Sequence, residues 1–248
     1  VERDVGQLYS LAKATVLPLF HLGWRFDVRG LENVPEIGGA IMAPNHTSVI
    51  DSFFLPAVLP RRITYVGKAE YMDDWKTKYL FPALGMIPID RSGGNAAQAA
   101  LDAAAGVLDK GELFGIYPEG TRSRSGLLHK GHTGAARLAR RTETPIVPVG
   151  LVGTREVQPP DAPVPRLFMT VGINIGKPIH PDLESDPNDP RVYRRMIDNV
   201  MFEISRLSGQ QYVHEYATKK TDATPDGLDG GAIPPRRSSA EFLSGNAA

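Results

Sequence analysis

Apolar and polar positions recur in a regular order along the chain: a short run of apolar residues, a turn, then a longer stretch of helical periodicity. The runs at 40–43, 63–67, 86–89 and 112–117 are almost continuously apolar, as strands buried on both faces of a parallel sheet require. Residues 25–34, with Phe26, Val28 and Leu31, suit a further strand ending before Pro35, and 168–175 another. The stretch 144–152 is also apolar, but Pro145 and Pro148 cannot donate to a ladder, so it predicts a bent strand and not a regular central one. Helical periodicity covers 52–59, where Pro56 and Pro60 predict breaks, then the alanine-rich 96–109, then 133–141. It returns at 189–216, where Val192, Met196, Val200, Ile204 and Leu207 share one face. This alternation predicts the α/β class: a single domain over 25–217, with a mostly parallel central sheet flanked by helices.

The ends read differently. In residues 1–24, Leu8, Leu11, Thr15 and Leu19 follow helical spacing, and Tyr9, Val16, Phe20 and Trp24 widen the apolar side. Two readings stand: an interfacial helix lying on a membrane, or a core-packing helix kinked at Pro18. From 218 to 248, Lys, Asp, Ser, Gly and Pro dominate, and the segment reads as a disordered tail. Acids and bases balance there, so it is not a polybasic anchor. Residues 71–84 carry Tyr71, Trp75, Lys76, Lys78, Tyr79 and Phe81, the make-up of a membrane-facing surface or of a partly buried helix. No run approaches the about 18 apolar residues of a spanning helix, and the charged start Val1-Glu2-Arg3-Asp4 does not read as a secretory leader.

Composition removes several chemistries. A formal net charge of +0 offers no overall field for nucleic acid. The absence of cysteine excludes disulfides, zinc-thiolate sites and a cysteine nucleophile, and fits a reducing compartment. There is no Gly-x-Ser-x-Gly elbow, no nucleotide P-loop and no Gly-x-Gly-x-x-Gly turn. Of the histidines only His129 and His132 approach a metal-ligand spacing; such a lone pair reads as solvent-facing, and no metal is expected.

What remains is concentrated after the strands. The run 40–43 delivers Asn45-His46-Thr47-Ser48-Val49-Ile50-Asp51, in which a histidine and a carboxylate form the standard pair for deprotonating a hydroxyl. On one helix five positions turn the chain by about 500°, leaving the two side chains about 140° apart. For them to meet, His46 must lie in the turn before the helix and Asp51 inside it, with Thr47 or Ser48 as cap. Lys68 follows the next strand, Asp90-Arg91 the next, and Glu119-Gly120-Thr121-Arg122 the next. In a mostly parallel sheet those loops share one edge, so a base is surrounded by cations. Arg91 beside a Gly-rich helix start is a good anion site. Together they suggest proton removal from a hydroxyl on a phosphate-bearing substrate.

With these residues in view, the chain resembles the glycerolphosphate/lysophospholipid acyltransferase family, and most its 1-acylglycerol-3-phosphate branch. The His-x4-Asp block at 46–51, Gly85-Met86-Ile87-Pro88-Ile89-Asp90-Arg91, Tyr117-Pro118-Glu119-Gly120-Thr121-Arg122-Ser123 and Ile146-Val147-Pro148-Val149 match its four blocks in order, within roughly 27–180. The resemblance implies that His46 is the general base, that Asp51 orients and charges it, and that the hydroxyl attacks the thioester directly. It further implies that Arg91, Lys130 and Arg122 hold the acceptor phosphate, in a pocket shaped by Glu119, Gly120 and Thr121, with Asn45 and Lys68 supporting. No cofactor is implied; acyl-CoA or acyl-carrier protein is the co-substrate, lysophosphatidate the acceptor and phosphatidate the product. Many bacterial members of that family carry more hydrophobic helices at the N-terminus than the about 20 moderately apolar residues here, and this departure favours peripheral attachment, on the cytoplasmic face of a membrane. Other acceptors, such as glycerol-3-phosphate or another lysophospholipid, stay open, as do a non-catalytic lipid-binding protein and an acyl-thioester hydrolase.

Overall fold

The structure, a computed structural model, describes residues 18–68, 86–89 and 96–217. The expectations for 1–17, for 71–84, for Arg91 and for the 218–248 tail lie outside these residues. The described residues contribute seven strands to one sheet: β1 (Arg25–Arg29), β2 (Ala40–Pro44), β3 (Ile63–Lys68), β4 (Met86–Ile89), β5 (Leu113–Gly115), β6 (Ile146–Val152) and β7 (Thr170–Ile175). Their order is β1-β7-β6-β2-β5-β3-β4. The helices are α1 (Asp51–Val58), α2 (Ala96–Leu108), α3 (Gly134–Thr142), the short α4 (Thr154–Val157) and α5 (Pro190–Ser208).

Strands β2 to β6 run parallel to one another, β7 is antiparallel to β6, and β1 is parallel to β7. The sheet is therefore mostly parallel, as expected, with a reversed pair at one side. The reversal has a geometric consequence. The starts of β1 and β7 lie at the same edge as the ends of β2 to β6, here called the carboxyl edge.

Alternation along each strand divides the core. Ala40 and Met42 of β2 face one side with Val147, Val149 and Leu151 of β6, where Phe54 and Leu55 of α1 cover them. Ile41 and Ala43 face the other side, covered by Ala104 and Leu108 of α2, Leu138 of α3 and Ile197, Val200 and Ile204 of α5. Both faces are buried, which is why these strands read as continuous apolar runs.

Three expectations are corrected. Helix α1 does not break at Pro56 but runs through it. The proline removes one donor, yet the Leu59 N–H still reaches the Leu55 carbonyl at 3.2 Å, and the helix closes beyond it. Strand β6 is a regular central strand between β7 and β2, not a bent outlier. Its Pro148 lies where the ladder to β7 runs out: the Gly176 N–H donates to the Pro148 carbonyl at 2.8 Å, and only the return bond is missing. Helix α5 stops at Ser208, well short of 216. Gly209 takes a left-handed φ of 74° and its N–H closes on the Ser205 carbonyl at 2.8 Å, a glycine C-terminal stop.

Residues 18–23 are helical. Within this described part of the segment, one side packs inward and the other is open to solvent. Phe20 and Trp24 pack into the core against Phe54, while Leu19 and Leu22 stay exposed.

Candidate active site

Strand β2 ends at Pro44 on the carboxyl edge, and the turn that follows carries His46 to the start of α1, whose first residue is Asp51. His46 Nδ1 lies 3.0 Å from Asp51 Oδ2. Asp51 is wholly buried, and the same Oδ2 accepts the Thr47 and Ser48 N–H groups, each at 2.8 Å. The carboxylate thus organises the turn that presents the histidine. Thr47 and Ser48 do not cap α1 as expected, because no side chain caps its first turn. Ser48 Oγ donates instead to the Gln158 carbonyl at 3.0 Å, and Thr47 Oγ1 meets Thr154 Oγ1 at 3.0 Å. Both tie the turn to α4 and the loop after it. With Nδ1 engaged by Asp51, His46 Nε2 has no hydrogen-bond partner among the described residues, and the side chain keeps 15% of its surface open.

Glu119 lies in the turn after β5, and burial leaves it 1% exposed. Its Oε1 accepts the His46 N–H at 3.1 Å and its Oε2 the His129 N–H at 2.9 Å. Each oxygen is thus engaged by the backbone of a different loop, and the carboxyl braces the two together. Desolvation pushes its carboxyl up to about 7; the Asp51 charge adds to this, and the two backbone bonds oppose it. Gly120 makes the turn possible at φ 74°, and a Cβ there would stand 3.1 Å from His132 Cδ2.

Sequence reasoning missed Tyr117. Its ring stacks on the His46 imidazole, with centroids 3.8 Å apart and planes 16° apart, and its hydroxyl meets Ser52 Oγ of α1 at 2.8 Å. Burial, with Tyr65 and Asp51 nearby, pushes that hydroxyl well above its ordinary range. The available signal was a tyrosine at the end of a strand, and such residues are usually core. Ser123 was missed as well: its N–H donates to the His46 carbonyl at 2.7 Å. Asn45 proves a structural clamp. Its Oδ1 accepts the Leu151 N–H at 2.7 Å, and its Nδ2 donates to the Leu151 carbonyl at 3.0 Å and to Gln210 Oε1 at 2.7 Å.

The predicted cations are brought together only in part. Thr121 and Arg122 are exposed in the turn beside Glu119. Lys130 Nζ lies 3.1 Å from His214 Nε2 and 5.3 Å from the Tyr216 ring centre, so the segment after α5 engages it. The backbone of Lys68 ends β3 at the carboxyl edge, and Arg91 lies outside the described residues. The solvent-facing reading of the two histidines is corrected at His129, which is buried because Glu119 draws its backbone inward; His132 stacks on Tyr216. A separate cavity of about 310 Å³, lined by Arg140, His180, Tyr193 and Arg195 among others, sits by the start of β6 at the opposite edge and contains none of these groups.

Residues 25–152, about half of the chain, match the family described as acyltransferase. The chain belongs to the acyltransferase family. The match spans β1 to β6 and so includes the His46 turn and the Glu119 loop. The chain is 28% identical over 158 residues to the chloroplastic 1-acyl-sn-glycerol-3-phosphate acyltransferase of Arabidopsis thaliana, covering 63% of this chain and 44% of that protein. It is 37% identical over 146 residues to the 1-acyl-sn-glycerol-3-phosphate acyltransferase of Limnanthes douglasii, covering 56% and 49%. Among solved structures, the 1-acyl-sn-glycerophosphate (LPA) acyltransferase PlsC of Thermotoga maritima aligns with a TM-score of 0.60 at 21% identity, covering 83% of this chain and 78% of that one. At that identity the likeness establishes the acyltransferase fold. The chain spans about half the length of most curated relatives it matches.

Proposed function

We propose that this acyltransferase moves a fatty acyl group from a thioester donor, acyl-CoA or acyl-carrier protein, to the sn-2 hydroxyl of 1-acylglycerol-3-phosphate, yielding phosphatidate. The observation that carries the reading is the His46–Asp51 pair: Nδ1 at 3.0 Å from a fully buried carboxylate, with Nε2 left for an acceptor hydroxyl. Nε2 takes the hydroxyl proton as the oxygen attacks the thioester carbonyl. The C–O bond forms, the C–S bond breaks, and the departing thiolate recovers the proton from the imidazolium. Asp51 holds the tautomer and stabilises the transient cation. A thioester is reactive enough for one base and good positioning, so no acyl-enzyme is required. The names of the matched relatives support the acceptor.

The acceptor phosphate is assigned to Arg91, Lys130 and Arg122, with Gly120 and Thr121 forming the adjacent turn; Glu119 and Asn45 hold that architecture from behind. The enzyme works peripherally at the cytoplasmic face of a membrane. Among the described residues no helix is long and apolar enough to cross one. The test is thiol release from palmitoyl-CoA against a panel of acceptors, with the product's acyl position determined. His46→Ala should abolish transfer while acceptor binding persists. Full transfer by that variant overturns the mechanism, and acceptor-independent thiol release overturns the transferase reading.

A further inference from the structure

Leu19 and Leu22 on the helical segment 18–23, and Val164, Leu167 and Phe168 in the loop before β7, expose 63%, 74%, 69%, 54% and 77% of their surface. The two segments are joined. The Phe168 N–H donates to the Gly23 carbonyl at 2.6 Å, and Trp24 Nε1–H donates to the Arg166 carbonyl at 2.8 Å. A Cβ on Gly23 would stand 3.5 Å from Leu167 Cδ2, so the Leu167 side chain lies beside the helical segment. Phe20 and Trp24 turn inward onto Phe54, with ring centres 6.0 and 5.2 Å away, and this fixes which face of 18–23 points out. Phe168 is held at φ 63°, a conformation that costs a bulky residue free energy, yet the strain does not bury its ring.

The position of this patch is set by the sheet. Because β7 and β1 run against β6, their starts lie at the carboxyl edge, where β2 releases His46. The loop is also tied to the catalytic turn by Ser48 and Gln158, and Val49 of that turn is itself exposed. Arg25 and Arg166 flank the patch and are exposed, whereas Asp161, an acid of the same loop, is paired with Arg124. Exposed apolar side chains beside two arginines that have no ion-pair partner among the described residues suit a surface of anionic headgroups above hydrocarbon better than a second protein.

We infer that Leu19, Leu22, Leu167 and Phe168 form a bilayer-docking surface that seats the carboxyl edge on an anionic membrane, with the loop before β7 as a contact separate from the N-terminal helix. The choice of a lipid occupant rests on the acceptor proposed above, whose hydrocarbon tail places it in a membrane; the patch itself is read from exposure and topology. The experiment is flotation of the full chain with phosphatidylcholine vesicles, with and without phosphatidylglycerol, in the absence of either substrate. Leu167→Ser/Phe168→Ser should lower partitioning by about tenfold or more. Phe202→Ser, which removes another largely exposed phenylalanine (65%) from α5, should not. Arg25→Gln/Arg166→Gln should lose the preference for anionic vesicles. Transfer to the water-soluble acceptor glycerol-3-phosphate or to a short-chain lysophosphatidate should be unchanged in Leu167→Ser/Phe168→Ser, which separates lost docking from lost folding. Partitioning equal to wild type, or a loss matched by Phe202→Ser, overturns the inference, as does a dimer in wild type that the double variant dissolves. Vesicle binding without transfer to any acceptor would instead leave docking intact and remove the proposed reaction.

Discussion

The imidazole of His46 is constrained from three sides: Asp51 at Nδ1, Glu119 at its backbone N–H, and the Tyr117 ring against its face. Stacked aromatic pairs contribute about 0.5–1.5 kcal/mol beyond area burial, so removing the ring should cost up to about tenfold in kcat. Tyr117→Phe keeps the platform and should stay near wild type, whereas Tyr117→Leu should lower kcat with little change in acceptor KM. Equal losses in both would move the role from the ring to the hydroxyl and its Ser52 bond. Glu119 makes a pH-dependent prediction. Its carboxyl ionises at about 7 when folded, against 4.5 as its ordinary value. Between those values the folded protein keeps a proton that the unfolded chain has lost. The stability contributed by Glu119 is therefore full at the acid end of this window, falls as pH rises through it, and is flat above. The Tm of wild type minus that of Glu119→Gln should fall across this window; a pH-independent difference would place the titration elsewhere. The glutamine also sets an NH2 group against one of the two N–H donors, so its transfer activity should be lower at every pH.

Strand β6 shows what an element contributes. It sits between β7 and β2, and α5 crosses it so closely that a Cβ on Gly150 would fall 2.4 Å from the Leu207 carbonyl carbon and 2.5 Å from the Ser208 nitrogen. Backbone cannot yield as a flexible side chain does. Gly150→Ala should destabilise by about 1–3 kcal/mol or more, read as a lower denaturation midpoint. One residue further, both backbone groups of Leu151 are held by Asn45. Asn45→Ala leaves them unsatisfied in the interior at a cost of about 1–3 kcal/mol, and Asn45→Asp should be at least as damaging because a carboxylate would face the Leu151 carbonyl and Gln210 Oε1. Both variants should lose activity in step with stability; activity lost at unchanged stability would show that Asn45 touches substrate. The proline-bearing sequence of β6 misled expectation, since proline is a poor central-strand residue in general. Only the position of Pro148 at the ladder's end shows why it is tolerated here.

Across the whole molecule, helix α1, the reversed pair β1–β7 and the helical segment 18–23 meet around Trp24. Its ring packs on Phe54 of α1, and its indole N–H holds the Arg166 carbonyl. Trp24→Ala removes a core side chain and the bond that ties it to the loop before β7, so it should destabilise by about 3–5 kcal/mol by chemical denaturation. Loss below about 1 kcal/mol would mean that the segments are held independently.

Much of this was legible in the chain. Continuous apolar runs separated by helical periodicity predict buried strands in an α/β sheet, because a strand covered on both faces has few positions open to water. The five-residue interval from His46 to Asp51 requires a turn before a helix, because helical geometry would otherwise part the side chains. The motif blocks, in order, place the chemistry at strand ends. The tertiary structure decided what local spacing does not encode. Glu119 braces two loops because the His46 and His129 N–H groups, 73 and 10 residues away, close on it. Tyr117 became part of the site because β5 lies beside β2. Two exposed apolar segments share the edge of His46 because one antiparallel pairing reverses the direction of two strands. Each of these depends on which strands are neighbours, and neighbourhood in a sheet is settled by long-range packing, not by the periodicity of any one segment.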